Sequence, residues 1–255
     1  KPGAAIGRIH GPVWQAGRNH SLPHGAAAED VVAAIAGQHV VEAVAGAVAE
    51  AATGETLQAL YERLLAAPLG LRDTAFAARN AARLATPYVS DAPQPHRLQE
   101  GEVVAPFEGT VGIEYSLARA TDASRFPSAG AGLVGTADDV MAVLEALRDV
   151  QRSGLLPSAL AAEMASPQVG EQGPPEPAGW GFGLGFAVLR DAAASGTPQN
   201  AGTWRWGGAY GHSWFVDPVR GLSVVALTNT LYEGMDGAFV DQLRDAVYAD
   251  MGTVR

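Results

Sequence analysis

With 255 residues, 47% of them hydrophobic and only 17% charged, the chain can bury a sizeable core and is too apolar to be disordered over most of its length. Acidic residues outnumber basic ones 27 to 17, and the resulting charge of −10 repels a phosphate backbone, so nucleic acid is excluded as the expected partner. The absence of cysteine excludes disulfides, thiolate metal sites and a cysteine nucleophile, and no apolar run is long enough to span a membrane. The chain reads as soluble, with cytoplasm and secretion both open.

Residues 1–28 alternate glycine, proline, histidine and short apolar pieces and read as loop. From Glu29 to Thr53 nearly every residue is Ala, Val, Gly or an acid, which predicts one or two helices packed through small side chains and ended by Gly54. Glu55 to Ala67 carries Leu57, Leu60, Tyr61, Leu64 and Leu65 at helical spacing, with Pro68 and Gly70 expected to close the helix. Prolines at 87, 93, 95 and 106 make residues 79–112 loop-rich, apart from a short strand at Tyr88 and Val89. Thr136 is an N-cap, and Asp138 and Asp139 sit in the first turn of a helix that fades near Val150. A shorter helical piece at Leu160–Met164 and a surface loop over 166–179 follow.

The last third changes character. Trp180–Leu189 reads as one strand, Thr203–Trp206 as the start of a second that resumes at Gly211–Val216 after a glycine-rich bend, and Leu222–Leu227 as a third. Asp236–Ala249 is the closing amphipathic helix. The short connections, including the polar turn at Asp217–Gly221, demand an antiparallel meander. This is an α+β order: a partial, mostly helical and loop region over 1–120, and an antiparallel sheet with flanking helices over 121–255, together one compact unit.

The densest polar-aromatic cluster runs from Trp204 to Trp214 and holds three of the chain's five tryptophans. Its glycines let a ligand approach the backbone and leave N–H groups free to meet it; equally, they serve a tightly bent hairpin. The six histidines show no metal-ligand spacing. His212 follows the glycine-rich bend and reads as a base, as a charge near a developing oxyanion, or as a core histidine bonded to a carbonyl. Tyr115 reads as an ordinary packed tyrosine. There is no Gly-x-Ser-x-Gly elbow, P-loop or dinucleotide fingerprint, so no cofactor is expected. Lys1 is the only lysine; the other sixteen of the 17 basic residues are arginine, and no Ser-x-x-Lys occurs.

Several runs together carry a resemblance. They are Ala52-Thr53-Gly54, Pro68-Leu69-Gly70-Leu71-Arg72-Asp73-Thr74, Ser128-Ala129-Gly130-Ala131-Gly132-Leu133 with Thr136-Ala137-Asp138-Asp139, Gly179-Trp180-Gly181-Phe182-Gly183, and Trp206-Gly207-Gly208-Ala209-Tyr210-Gly211-His212-Ser213-Trp214. In order and spacing they resemble the C-terminal two thirds of the serine β-lactamase and penicillin-binding-protein superfamily, closest to its carboxylesterase branch, the family VIII esterases. The resemblance implies a β-lactamase-like or transpeptidase-like fold, with the antiparallel sheet flanked by helices and the N-terminal part apparently missing. It implies a carboxylesterase-type serine hydrolase that acts on a small-molecule ester through an acyl-enzyme. Trp206-Gly207-Gly208 matches the third family motif on an edge strand, and the Ala209 N–H matches one half of the oxyanion hole. Gly207, Gly208, Tyr210 and His212 would bind substrate beside it, and Trp206 would shape the acyl pocket.

Lys1-Pro2 matches the end of a Ser-x-x-Lys-Pro motif, which makes Lys1 the implied catalytic lysine. An N-terminal segment or separate chain carrying the nucleophile is then the implied partner. Counting back from Ala52-Thr53-Gly54 places Gln38, with His39 beside it, where the family has its proton-shuttling tyrosine. That substitution supports an alternative, a catalytically inactive fragment or binding protein of the same fold. A β-lactam hydrolase is disfavoured because Trp206 replaces the lysine that would meet a substrate carboxylate. A carbohydrate-binding module would account for the tryptophans but not for the helices.

Overall fold

The computed structural model describes residues 44–91, 93–106, 112–169 and 177–253. Lys1, Gln38, His39 and the expected N-terminal loop lie outside the described residues, as does most of the Glu29–Thr53 segment. Helix α1 covers 44–53, and Gly54 (φ 71°) turns the chain while its N–H bonds back to the Glu50 carbonyl at 2.8 Å.

Thr56 caps α2 (Leu57–Tyr61) through its hydroxyl, which accepts the Ala59 N–H. Pro68 does not close the helix as expected. The chain continues through a π-helical turn, Glu62–Ala66, into α3 (Ala67–Leu69), and it is Gly70, left-handed at φ 66°, that ends it. The widened turn, with the Ala67 N–H on the Glu62 carbonyl, displaces the preceding carbonyls that a proline ring would otherwise strike.

The described residues between 86 and 117 are loop-rich but hold two small ribbons, β1 (Tyr88–Val89) with β2 (His96–Arg97) and β3 (Val103–Val104) with β4 (Ile113–Glu114). Tyr88 is stitched to a distant loop: its N–H donates to the Asn229 carbonyl at 2.7 Å and its carbonyl accepts the Leu231 N–H at 2.8 Å. Val89, Leu98, Tyr115 and Leu231 bury each other in that junction.

Thr136 caps α4 (Ala137–Arg148), as the sequence predicts. Asp139 in its first turn accepts the Asp73 N–H and the Thr74 hydroxyl, both at 2.9 Å, which ties the Leu71–Thr74 loop to the helix start. Burial pushes the Asp139 carboxyl up, but those donors outweigh it and hold it below the ordinary carboxylate range. Two short helices follow, α5 (Val150–Ser153) and α6 (Ser158–Met164).

The sheet has five strands rather than three. They are β5 (Trp180–Phe182), β6 (Ala187–Leu189), β7 (Trp204–Gly208), β8 (His212–Asp217) and β9 (Leu222–Leu227), all antiparallel and in sequence order, with the short helix α7 (Ala192–Ser195) between β6 and β7. The meander is as expected. The strand count differs because Trp180–Leu189 and Thr203–Val216 are each a hairpin. Gly185 (φ 101°) and Gly211 (φ 94°) sit in the two reversals, in a backbone region that residues with a Cβ rarely enter.

Alternation puts Trp204, Trp206, Trp214 and Val216 on one face, where Trp204 and Val216 join Leu144 of α4, Phe186 and Val188 in the core. Phe186 stacks on Trp204 with ring centroids 4.7 Å apart. On the other face Phe215 stacks on Tyr248 of the closing helix α8 (Ala238–Thr253) at 6.2 Å. Among the described residues no helix is long and apolar enough to cross a membrane.

Candidate active site

The β7–β8 hairpin brings the sequence-predicted residues Trp206, Gly207, Gly208, Ala209, Tyr210 and His212 together at one end of the sheet. Gly208 pairs with His212, leaving a three-residue loop, Ala209-Tyr210-Gly211. The carbonyls of this loop are held from several sides. The Gly211 N–H donates to Gly208 at 2.9 Å, the Tyr232 N–H donates to Ala209 at 2.9 Å, and Thr228 gives Gly211 both its N–H, at 3.1 Å, and its hydroxyl, at 2.8 Å.

Against that, the Ala209 N–H has no hydrogen-bond acceptor among the described residues. Its own peptide is fixed through the Gly208 carbonyl, and a trans peptide directs its N–H opposite to its C=O. The result is a backbone donor that is rigidly held, aimed away from the turn and unspent. Such a group can stabilise charge developing on a carbonyl oxygen without reorganising to do so.

The side chains around it differ in role. Trp206 is half-buried with its ring edge against Phe182 at 5.1 Å, so it belongs partly to the core margin. Gly207 and Gly208 face opposite sides of the sheet. A Cβ at Gly207 would stand 2.7 Å from the Met235 Cα and 2.8 Å from the Gly234 carbonyl oxygen, both backbone atoms; one at Gly208 would meet only the His212 ring, at 3.2 Å. Gly207→Ala is therefore expected to lose about 1–3 kcal/mol of stability in urea denaturation, as overpacking against backbone does. Gly208→Val should unfold close to the wild-type midpoint while obstructing the surface beside Ala209.

His212 is not a core histidine. It is exposed at the first position of β8. Desolvation pushes the imidazole below the ordinary histidine value.

Tyr210 of the loop begins a chain of three tyrosines with Tyr115 and Tyr232. Tyr210 packs its ring edge-on against Tyr115 at 5.2 Å, and Tyr115, 5% exposed, donates its hydroxyl to the Tyr232 hydroxyl at 2.7 Å. Tyr232 in turn donates to the Val104 carbonyl at 3.2 Å. Desolvation raises all three phenols above the ordinary tyrosine value, so they remain protonated donors rather than bases. Tyr115 is packed as the sequence suggests, yet it also braces the site. Tyr232 carries no signal in the sequence that would have singled it out.

A separate recess of about 470 Å³ lies elsewhere. It opens between α5, α6 and the start of β7 and is lined by Leu147, Met164, Phe186 and Trp204.

The Beta-lactamase family model matches residues 38–249. Esterase EstB of Burkholderia gladioli is 48% identical over 207 residues, which cover 81% of this chain and 52% of that protein. The structure of EstCE1, a hydrolase with promiscuous acyltransferase activity, superposes with a TM-score of 0.73 at 48% identity, covering 80% of this chain and 53% of the other. A mutant of simvastatin synthase (LovD) from Aspergillus terreus shares the fold, with a TM-score of 0.65 at 20% identity over 82% of this chain and 55% of the other. The chain spans about half the length of these relatives.

Proposed function

The chain belongs to the beta-lactamase family, and from that premise we propose that it forms part of a carboxylesterase-type serine hydrolase acting on small esters through an acyl-enzyme. A serine hydroxyl attacks the ester carbonyl, the carbonyl oxygen takes the developing negative charge, and the alcohol departs. Water then attacks the acyl-enzyme through a second oxyanion, the bond to the serine oxygen breaks, and the carboxylic acid leaves as the serine regains a proton. The Ala209 N–H receives that oxygen in both steps. Gly208 permits the close approach, with Trp206, Gly207, Tyr210 and His212 around it. Lys1, read as the end of Ser-x-x-Lys-Pro, is the activating lysine in this reading.

The observation that carries this reading is the unpaired, rigidly held Ala209 N–H at the glycine-lined end of β7. The similarity to Esterase EstB and to EstCE1 supports the ester as substrate class. Trp206 in the third motif supplies no cation for a β-lactam carboxylate. The test is a burst assay of the full-length protein with nitrophenyl acetate, followed by phosphonate labelling and peptide mapping. Rapid turnover with one label, on a serine outside the described residues, is the expected result. A label on Ser116 or Ser213 would overturn the reading, because the nucleophile would then lie within the described residues.

A further inference from the structure

We propose that Tyr232 is a positioning residue for the Ala209 N–H, and that the Tyr115 phenol completes the device by anchoring Tyr232; this rests on the reading of Ala209 as the oxyanion donor. Two peptides meet at the Ala209 Cα. The one before it is fixed by the bond from the Gly211 N–H to the Gly208 carbonyl, and the one after it by the bond from the Tyr232 N–H to the Ala209 carbonyl. With both peptide planes held, the φ and ψ of Ala209 are set, and so is the direction of its free N–H. Of the two clamps, the first is internal to the turn. The second comes from a loop far along the chain, and Tyr232 is its contact.

Tyr232 holds this place at a conformational cost. It is the one non-glycine residue with positive φ among the described residues, at 66°. Its Cβ makes that region unfavourable, and such outliers persist where the surroundings over-determine them. Here the surroundings are explicit. The phenol accepts from Tyr115 and donates to Val104, so the ring is pinned at its far end while the N–H is pinned at Ala209. Gly234, two residues on, lies so close to the Gly211 carbonyl that a Cβ there would collide with it, which keeps the whole loop pressed on the hairpin. Ala209 itself packs beside Tyr232 against the cluster of Val89, Leu98, Tyr115 and Leu231.

If the tyrosines only fill this cluster, deleting a hydroxyl weakens the fold and leaves Ala209 where it is. If they position it, the N–H turns. The full-length protein is compared with its Tyr232→Phe and Tyr115→Phe variants. Tyr248→Phe, which removes a buried hydroxyl bonded to Asp217 on the far face of the sheet, serves as the stability control.

Tyr232→Phe is expected to lower kcat on nitrophenyl acetate about 10-fold with KM nearly unchanged, because a misdirected donor is lost chiefly from the transition state. The amide NMR resonance of Ala209 should shift and exchange faster. Tyr115→Phe should move the same signals in the same direction by less. Tyr248→Phe should lower Tm at least as much, with kcat and the Ala209 resonance unmoved. An unmoved Ala209 resonance in Tyr232→Phe, or a loss of kcat matched by Tyr248→Phe, overturns the positioning role while leaving the esterase reading intact. A shifted resonance in a protein whose wild type shows no ester turnover supports the positioning role and overturns the esterase reading.

Discussion

Replacing Asp217 with alanine is expected to destabilise the fold by about 3–5 kcal/mol, the range for removing one member of a buried charged network. Asp217 is fully buried at the end of β8. Its carboxylate accepts the Tyr248 hydroxyl at 2.5 Å, the Asn200 amide at 2.7 Å, and the Val219 and Arg220 N–H groups at 3.0 and 3.1 Å. One side chain thereby closes the β8–β9 turn and fastens α8 to the sheet. Alanine removes the acceptor those four donors share.

The same network makes stability depend on pH. Burial pushes the Asp217 carboxyl up, but the bonds from Tyr248, Asn200 and Arg220 outweigh it and leave the group below the ordinary aspartate value. A folded-state pKa below the unfolded one means that the stabilisation is complete above the unfolded value, near pH 4, and is lost as pH falls through the folded value. Urea midpoints of wild type and Asp217→Ala should therefore be far apart at neutral pH and converge on acidification below about pH 4. A gap independent of pH would show that the charge of Asp217 contributes nothing.

Ala209→Pro is expected to lower kcat on a nitrophenyl ester by about 10²–10³, the loss seen when one oxyanion-hole donor is deleted. The fold should tolerate the change. The N–H that proline lacks has no acceptor among the described residues, the φ of Ala209 is not left-handed, and the first central position of a tight turn suits proline. Gly208 before it accepts the restriction that proline places on its neighbour. Ala209→Gly keeps the N–H and should retain most of the activity. Steady-state kinetics on both variants, with Tm measured alongside, decides it: a proline variant with wild-type kcat excludes Ala209 as the oxyanion donor.

Elements whose defining contacts are local are readable from the residues alone. Leu222–Leu227 is β9 end to end, and Thr136 with Asp138 and Asp139 marks the start of α4. Both signals lie in the segment itself, as a run of strand-forming side chains or a cap beside its helix. Trp206-Gly207-Gly208 and His212 stand out for the same reason, since an aromatic–glycine run on a strand is unusual whatever surrounds it. The order of the meander follows from short connections that permit only antiparallel neighbours.

Other features have no local signature. Glycine within an apolar stretch is compatible with a strand passing through or with a strand reversing, so Trp180–Leu189 and Thr203–Val216 became hairpins only once Gly185 and Gly211 adopted positive φ. Pro68 inside a helix goes against its ordinary preference and depends on the π-helical turn before it. Tyr232 adopts a backbone state that its own side chain disfavours, held there by Tyr115, Val104 and Ala209. Those partners are far apart along the chain, and a hydrogen bond between distant residues leaves no period or spacing in either segment. The local sequence of this protein thus marks its β9 strand, the start of α4 and its aromatic–glycine run, whereas the hairpin reversals and the direction of the Ala209 N–H are decided only when residues remote along the chain close on each other.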